Sequence, residues 1–398
     1  MHQPLVWKKD RLIGNLEKML KSTNSRERWD AKLMLRAYKN PAKYVKILRE
    51  SGLSSKIVLD FSGILLENLS KLEEKRILDK IEVYGEKIGE ILGLYREVLE
   101  KYPDSIEFAG TAYSHCYFPS IPIRDWKLQI KEWRNVFSKI FGKKELKKVR
   151  GFWLPEMGVP GTKEKLEKLI EVVSKYYEWL ILPLQSVKNY ERLNYKERIE
   201  IFTKPHLLEV RKQKIKVVFR SPTYFIDQQA GTSPEFIKER IENEIEPLKG
   251  LRIIITASDG ENGNVMMNEF FPKTFKPLFE KVIGKKRIDS LLVSEFLDLF
   301  CKTNELKVIE LKTFGASWIN GHELWKGESR KERIRMKIRM ISEFYRKFKG
   351  EEKIKEKLKK LLLISQTSCY IYWGTDYWYS QAERTIEEFM KIFKKQFS

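Results

Sequence analysis

The sequence has few of the residues that build disulfide frameworks, metal clusters or membrane spans. Among its 398 residues are three cysteines and four histidines. The three cysteines, Cys116, Cys301 and Cys369, lie far apart in the sequence. An odd number of dispersed cysteines excludes a disulfide framework and a zinc knuckle, and it is typical of a reduced, cytoplasmic protein. No apolar run is long enough to cross a bilayer, and no apolar signal core follows Met1. We therefore expect a cytoplasmic protein without a membrane partner.

The balance of charge is strongly basic. Lys and Arg number 77 against 55 Asp and Glu, a net charge of +22. Such a charge suits a nucleic-acid partner, but it also suits the Lys/Glu-rich surface that thermophile proteins carry. The basic runs 143–150 and 351–360 include Glu or leucines at helical spacing, which favours a solvated surface. No glycine-rich phosphate loop, zinc finger or RNA-binding strand motif is present, so nucleic-acid binding ranks last.

Apolar residues make up 42% of the chain, enough for a large core without disulfides. Six β-rich runs alternate with amphipathic helices, which predicts an α/β fold with parallel strands and right-handed crossovers. Thr162 and Ser233 are predicted to cap two of these helices. After about residue 285 helical periodicity dominates, so we expect a sheet domain over 1–285 and a mostly helical C-terminal region over 286–398, packed together. The six runs are 56–61, 105–110, 150–154, 178–183, 216–220 and 251–257.

Polar residues follow several of these runs, at the carboxyl ends of the strands where parallel sheets place reactive groups. His115 follows run 105–110, Glu156 follows run 150–154, and Asp259 follows run 251–257. Two carboxyl groups facing each other across a sugar are what glycosidic cleavage needs. Each carboxylate could instead cap a helix or pair with a basic side chain, and the pattern alone leaves both interpretations open.

Histidine usage favours a functional site. His2, His115 and His322 each lie in a turn-flanked polar cluster, without the spacing of metal ligands, although ligands could still converge from distant loops. Aromatic rings near these clusters can stack on sugar faces, as Trp153 beside Glu156 could. The aromatic cluster at 370–379 is at least as consistent with core packing as with a sugar platform.

Taken together, these motifs resemble glycoside hydrolase family 57, the α-amylase and 4-α-glucanotransferase group of thermophiles. Seven segments carry the resemblance, and they occur in the family's order. They are HQP at 2–4, FSGILLENL at 61–69, GTAYSHCYFPSIP at 110–122, GFWLPEMG at 151–158, SDGENG at 258–263, SWINGHELW at 317–325 and TSCYIYWG at 367–374.

The resemblance implies an incomplete (β/α)7, TIM-like barrel with an appended helical region. It implies a retaining double displacement on α-linked oligo- or polysaccharides, with hydrolysis and transfer both open and with no metal or organic cofactor. Glu156 would be the nucleophile and Asp259 the acid/base. The resemblance also implies a set of substrate-binding residues: His2, His115, Trp153, Glu261, Trp318 and His322.

Two departures from the family pattern bear on these expectations. The strand that usually precedes HQP is missing ahead of Met1. Either the true start lies upstream, or the barrel lacks one wall, and the second alternative predicts unpaired sheet edges and a frayed His2. The segment from Asp259 reads DGENGN where DxExFG is common. A catalytically impaired carbohydrate-binding relative is therefore the alternative function. For a retaining enzyme we expect carboxyl groups about 5–5.5 Å apart, with Asp259 kept protonated by burial near Glu156 and Glu261.

Overall fold

The computed structural model describes residues 1–285 and 287–396. The strands in this part of the chain are β1 (Leu5–Lys8), β2 (Arg11–Gly14), β3 (Ile57–Leu59), β4 (Glu82–Val83), β5 (Glu86–Lys87), β6 (Ile106–Gly110), β7 (Gly151–Trp153), β8 (Trp179–Pro183), β9 (His206–Val210), β10 (Gln213–Arg220) and β11 (Lys307–Ile309). The α-helices are α1 (Asn15–Leu20), α2 (Ser25–Glu50), α3 (Gly63–Glu74), α4 (Ile91–Lys101), α5 (Ile123–Lys148), α6 (Lys163–Val173), α7 (Tyr195–Phe202), α8 (Tyr224–Ala230), α9 (Pro234–Glu244), α10 (Gly263–Met267), α11 (Lys276–Lys281), α12 (Val293–Thr303), α13 (Ser329–Lys347), α14 (Glu352–Ser365), α15 (Cys369–Tyr372) and α16 (Asp376–Lys394).

Seven strands form one mostly parallel sheet. Its order is β11-β9-β10-β8-β7-β6-β3. All neighbours are parallel except β9 and β10, which form an antiparallel hairpin. Strands β6 and β8 are buried along their whole length. The fold is therefore mixed α/β, with the carboxyl ends of the parallel strands on one side.

The predicted strands are confirmed in five of six cases, and the sixth is wrong. Residues 251–257 form no regular strand because their pairing is intermittent: Ile253 N donates to Thr203 O (2.9 Å), and Ile255 O accepts from Ser221 N (2.9 Å). Two strands of the sheet are not among those predicted: the antiparallel strand β9, and β11, which joins the sheet edge beyond residue 285.

The sheet packs on both faces. Helices cover one face, and the predicted caps are confirmed: Thr162 accepts from Lys165 N, and Ser233 accepts from Phe236 N. The other face carries a separate apolar cluster to which the strands and α12 both contribute. Its buried members are Ala109, Met157, Trp179, Ile181, Val218, Ile255, Val293 and Leu297.

Helix α12 closes the amino-terminal end of the sheet. Buried Glu107, near the start of β6, accepts hydrogen bonds from Ser294 N (3.1 Å) and from the Ser294 hydroxyl, which also accepts from Trp179 Nε1 (2.9 Å). Lys56, just before β3, pairs with Glu295 at 2.7 Å. Helix α12 therefore covers this end, and the carboxyl ends of the parallel strands lie at the opposite end of the sheet.

The C-terminal helices α13, α14 and α16 pack together and are tied to α5 through a buried polar network. Asp125 is completely buried and accepts from Ser342 Oγ (3.0 Å), Gln366 Nε2 (2.6 Å) and Arg346 Nη2 (2.7 Å). Ser114, in the loop after β6, hydrogen-bonds through its backbone N to Gln129 Oε1 (3.0 Å). This network holds the helical region against that loop. The predicted boundary between a sheet domain over 1–285 and a helical region over 286–398 stays a prediction.

The N-terminal residues lie beside the end of β3. Met1 N donates to Asp60 O (2.9 Å) and pairs with Asp60 Oδ1 (3.1 Å), while Ser62 N donates to Met1 O (3.0 Å). The Met1 side chain is 7% exposed, so the expectation of a frayed His2 is wrong. Within the described part of the chain, none of the helices has the length and hydropathy of a membrane span.

Candidate active site

Glu156 lies in a strained turn at the carboxyl end of β7. Within the turn Pro155–Met157, Glu156 has φ 57° and Met157 has φ 49°; His115, in the loop after β6, has φ 51°. A left-handed backbone at a residue other than glycine costs on the order of 1–3 kcal/mol and persists only where the surroundings enforce it. Such strain concentrates at functional sites, and here it aims Glu156 and His115 towards each other.

The Glu156 carboxylate is held by three side chains from separate parts of the chain. Ser368 Oγ donates to Oε1 (2.6 Å), and Trp318 Nε1 donates to Oε2 (3.0 Å). His115 Nε2 lies 3.4 Å from Oε1. The Glu156 side chain is 13% exposed, so these contacts fix a nearly buried carboxylate at the rim of the sheet.

His2 and His115 form a parallel pair beside this carboxylate. Their ring centroids are 3.6 Å apart and their planes differ by 3°. Burial lowers the pKa of both rings to about 3, although the charge of Asp259 opposes the shift. Both imidazoles are therefore neutral near pH 7.

Glu261 and Asp259 lie on the other side of His2. His2 N donates to Glu261 Oε1 (2.6 Å), and the Glu261 side chain is 9% exposed. Burial, reinforced by the charge of Asp259, raises the pKa of Glu261 to about 7 against the effect of the Met1 ammonium. Asp259 itself is exposed, so the expectation that it is buried is wrong and Glu261 is the buried carboxyl of the motif.

The fold brings most of the predicted site residues together. His2, His115, Glu156 and Trp318 are linked by direct contacts, and Glu261 joins them through His2. Asp259 is close enough for its charge to act on both histidines. These contacts connect the loops after β6 and β7 with the segment 258–263, the N-terminus and the loop at Trp318.

Two predicted residues take supporting positions. Trp153, at the end of β7, packs against the apolar cluster that the strands share with α12. His322 uses both ring nitrogens on protein atoms: Nδ1 contacts the Tyr117 hydroxyl and Nε2 contacts Phe314 O at 2.9 Å. Burial lowers the pKa of His322 to about 4. Its contacts connect the 314–325 loop to the loop after β6.

Four further residues belong to this region although they are not among the predicted site residues. Asp60 and Arg220 come at or just after the ends of β3 and β10, so the strand-end criterion that found Glu156 also applied to them. The charge of Asp259 acts on the Asp60 carboxyl group and on the Arg220 guanidinium group. Ser368 and Tyr372 come from the helical region, and no spacing in the sequence connects them to Glu156.

Three side chains could also be considered as metal ligands. Ligand atoms of His2, His115 and Glu156 lie within 4.8 Å of one another, and this donor set suits zinc. An imidazole nitrogen binds a metal in the plane of its ring, however, and parallel rings 3.6 Å apart cannot both direct a lone pair in plane at one ion. The stacked geometry suits two ring nitrogen atoms that each bind a separate hydroxyl group better than it suits two nitrogen atoms that share one cation.

Comparison with solved structures identifies similar folds. A family 57 branching enzyme from Thermococcus kodakaraensis aligns over 92% of this chain and 85% of its own, with 15% identity and a TM-score of 0.68. A 4-α-glucanotransferase from Thermococcus litoralis aligns over 99% and 58%, with 14% identity and a TM-score of 0.68. A novel α-amylase from Thermotoga maritima aligns over 100% and 92%, with 14% identity and a TM-score of 0.62. At these identities the similarity shows the fold alone.

Sequence comparison defines the family. No curated protein sequence matches this chain. Residues 1–312 match the family model of Glycosyl hydrolase family 57, and this segment includes Glu156, Asp259 and both stacked histidines. The chain therefore belongs to glycosyl hydrolase family 57 and is an enzyme of the glycoside hydrolase type.

Proposed function

We propose that this enzyme cleaves or transfers α-linked glucans with retention, using Glu156 as nucleophile and Asp259 as acid/base. The observation that supports this proposal best is that the charges of Glu156 and Asp259 both act on the imidazole of His2. Two carboxylates from distant parts of the chain thus converge on one ring at the carboxyl end of the sheet. A retaining mechanism requires such a pair.

In the first step, a Glu156 carboxylate oxygen attacks the anomeric carbon while the bond to the glycosidic oxygen breaks. Asp259 gives its proton to that departing oxygen. In the second step, water or a sugar hydroxyl attacks the anomeric carbon, the ester bond to Glu156 breaks, and Asp259 takes the proton of the attacking group. Hydrogen bonds from Ser368 and Trp318 keep the nucleophile oriented through both steps.

The histidine pair and Glu261 offer polar atoms for a sugar ring. In residues 1–285 and 287–396, Nδ1 of His2, Nδ1 of His115 and Oε2 of Glu261 are buried without a hydrogen-bond partner. Leaving buried polar atoms unpaired costs about 1–3 kcal/mol each. Sugar hydroxyls would satisfy such atoms, and the neutral imidazoles can accept or donate as the hydroxyls require.

The exposure of Asp259 in the free enzyme fits a proton donor that acts only under bound substrate. A sugar seated over the rim would remove water from Asp259. We further propose that the seven-stranded sheet corresponds to an incomplete (β/α)7 barrel, that the enzyme works in the cytoplasm, and that His322 positions the neighbouring loop.

The test compares Glu156→Gln and Asp259→Asn on maltooligosaccharides and on an aryl α-maltoside with a good leaving group. Glu156→Gln should abolish turnover of both substrates. Asp259→Asn should lose about 100- to 10,000-fold on the natural chain but still release the aryl group, because that leaving group needs little protonation. Glu164→Gln, on the exposed side of α6, is the matched control and should behave like the wild type.

The outcomes separate the two candidate functions. Near-normal turnover by Glu156→Gln would exclude its role as nucleophile. Saturable binding of maltooligosaccharides by the wild type, without product from any α-glucan or α-galactoside offered, would favour the alternative of a carbohydrate-binding relative that has lost catalysis. Product analysis by chromatography distinguishes hydrolysis from transfer.

A further inference from the structure

Three aromatic side chains lead outward from the nucleophile, and we call them the aromatic ladder: Trp318, Tyr372 and Trp373. The Trp318 and Tyr372 ring centroids are 6.3 Å apart at 60°, and those of Tyr372 and Trp373 are 5.1 Å apart at 78°. Rings in successive contact form a continuous strip from the site to the surface.

The inner end of the ladder contacts the reaction centre. Trp318 Nε1 donates to Glu156 Oε2 at 3.0 Å. Burial raises the pKa of the Tyr372 phenol, and the charges of Glu156 and Asp259 raise it further. The middle ring therefore lies close to both carboxylates.

The outer end is open to solvent. The Trp373 side chain is 57% exposed and that of Trp318 is 37% exposed. Tyr370 and Tyr379, in the same segment, are buried in the core. Gly374, at φ +60°, reverses the chain between α15 and α16, which leaves Trp373 at the tip of the turn. The exposed Trp373 ring continues the row of contacting rings that begins at Glu156, and a contiguous exposed aromatic surface beside a site indicates a ligand surface.

We propose that Trp373 and Tyr372 form a stacking subsite for sugar units beyond the bond that is cleaved, so that the substrate is a chain of several sugars. Pyranose rings present apolar faces to aromatic rings while their hydroxyl rims stay in water. The ladder begins at Glu156, so a chain whose end sugar lies at the carboxylates passes over Tyr372 and Trp373. This inference rests on the proposed function, which supplies the position of the cleaved bond.

The experiment measures kcat/KM for maltooligosaccharides from two to seven units with wild type, Trp373→Ala, Trp373→Tyr and Trp29→Ala. In the wild type, kcat/KM rises with chain length. Trp373→Ala lowers the ratio of the value for maltoheptaose to that for maltotriose by about 10-fold, the size of one aromatic contact. Trp373→Tyr restores most of this ratio because it keeps a ring.

Trp29→Ala serves as the matched control. Trp29 is 39% exposed on α2, and its ring contacts Tyr84 rather than the ladder. Its removal leaves the chain-length ratio unchanged. A ratio in Trp373→Ala equal to that of the wild type, or an equal loss at every chain length, overturns the subsite while leaving the proposed function intact.

A binding measurement separates this failure from failure of the proposed function. If the wild type cleaves no α-glucan, the proposed function fails. Titration of intrinsic fluorescence with maltoheptaose then tests the subsite directly. Binding by the wild type that is weakened about 10-fold in Trp373→Ala supports the subsite, whereas equal affinity, or no binding by either protein, overturns it.

Discussion

The imidazoles of His2 and His115 stack face to face, with centroids 3.6 Å apart, although one comes from the N-terminus and the other from the loop after β6. Two rings at this distance cannot both carry a positive charge without strong repulsion. Burial already keeps both neutral. The pair therefore places two buried, unpaired Nδ1 atoms beside the Glu156 carboxylate without adding charge there.

The first prediction concerns Glu261 and pH. Its pKa of about 7 lies above the ordinary value of 4.5, so its contribution to stability is complete below pH 4.5 and is lost as pH rises through 7. We expect the melting temperature of Glu261→Gln, relative to the wild type, to increase between pH 4.5 and 8. Calorimetry across that range measures this difference.

The stability that the histidine pair contributes should change with pH in the opposite direction, which provides an internal check. A histidine whose pKa falls from 6.5 to about 3 stabilises the fold fully above pH 6.5, and this contribution is lost as pH falls towards 3. His115→Asn should therefore flatten the loss of stability on the acid side. Parallel melting curves for wild type and both variants across pH 3–8 would contradict both assignments.

The second prediction concerns Ser368, which donates to Glu156 Oε1 at 2.6 Å. A hydrogen bond to a charged group is worth about 1.5–3 kcal/mol. We expect Ser368→Ala to lower kcat by about 10- to 100-fold, because the nucleophile loses a fixed orientation, while the melting temperature changes little. Steady-state kinetics on a maltooligosaccharide measures the loss.

Ser380→Ala is the control for this substitution. Ser380 lies on the exposed side of α16 and donates only to Asp376 O within its own helix. It should keep full activity. Wild-type kcat in Ser368→Ala would mean that Trp318 and His115 orient the Glu156 carboxylate without help.

The third prediction concerns the attachment of the helical region. Asp125 is completely buried and binds Arg346, Ser342 and Gln366. Its removal takes the acceptor from the buried Ser342 hydroxyl and Gln366 amide, so Asp125→Ala should lower the free energy of unfolding by about 2–3 kcal/mol. Asp10→Ala removes a fully exposed partner of Arg384 and should leave the free energy of unfolding nearly unchanged. Denaturant unfolding compares the two, and equal losses would contradict the structural role of Asp125.

The sequence predicted the parallel part of the sheet because buried parallel strands appear as continuous apolar runs. Glu156 and His115 were found by the same logic, since both follow such runs directly. Strand β11 escaped detection because it has three residues, two of them exposed. The burial of Glu261 in place of Asp259 depends on His2 folding over the loop, which no local pattern encodes.

The aromatic cluster at 370–379 shows a second limit of sequence reasoning. Composition could not decide between a core and a sugar platform, and the fold divides the cluster: Tyr370 and Tyr379 are buried, whereas Trp373 and Tyr377 are exposed. The turn at Gly374 makes this division, because it separates α15 from α16 and reverses the direction of the chain.

The segment that defines the family ends at residue 312, yet both hydrogen-bond donors to the Glu156 carboxylate, Trp318 and Ser368, lie beyond it. The matched segment therefore carries the Glu156 carboxylate, and the chain beyond it carries the two side chains that fix the orientation of that carboxylate. A substitution beyond residue 312 can thus remove a hydrogen bond from the Glu156 carboxylate while leaving both Glu156 and Asp259 in place.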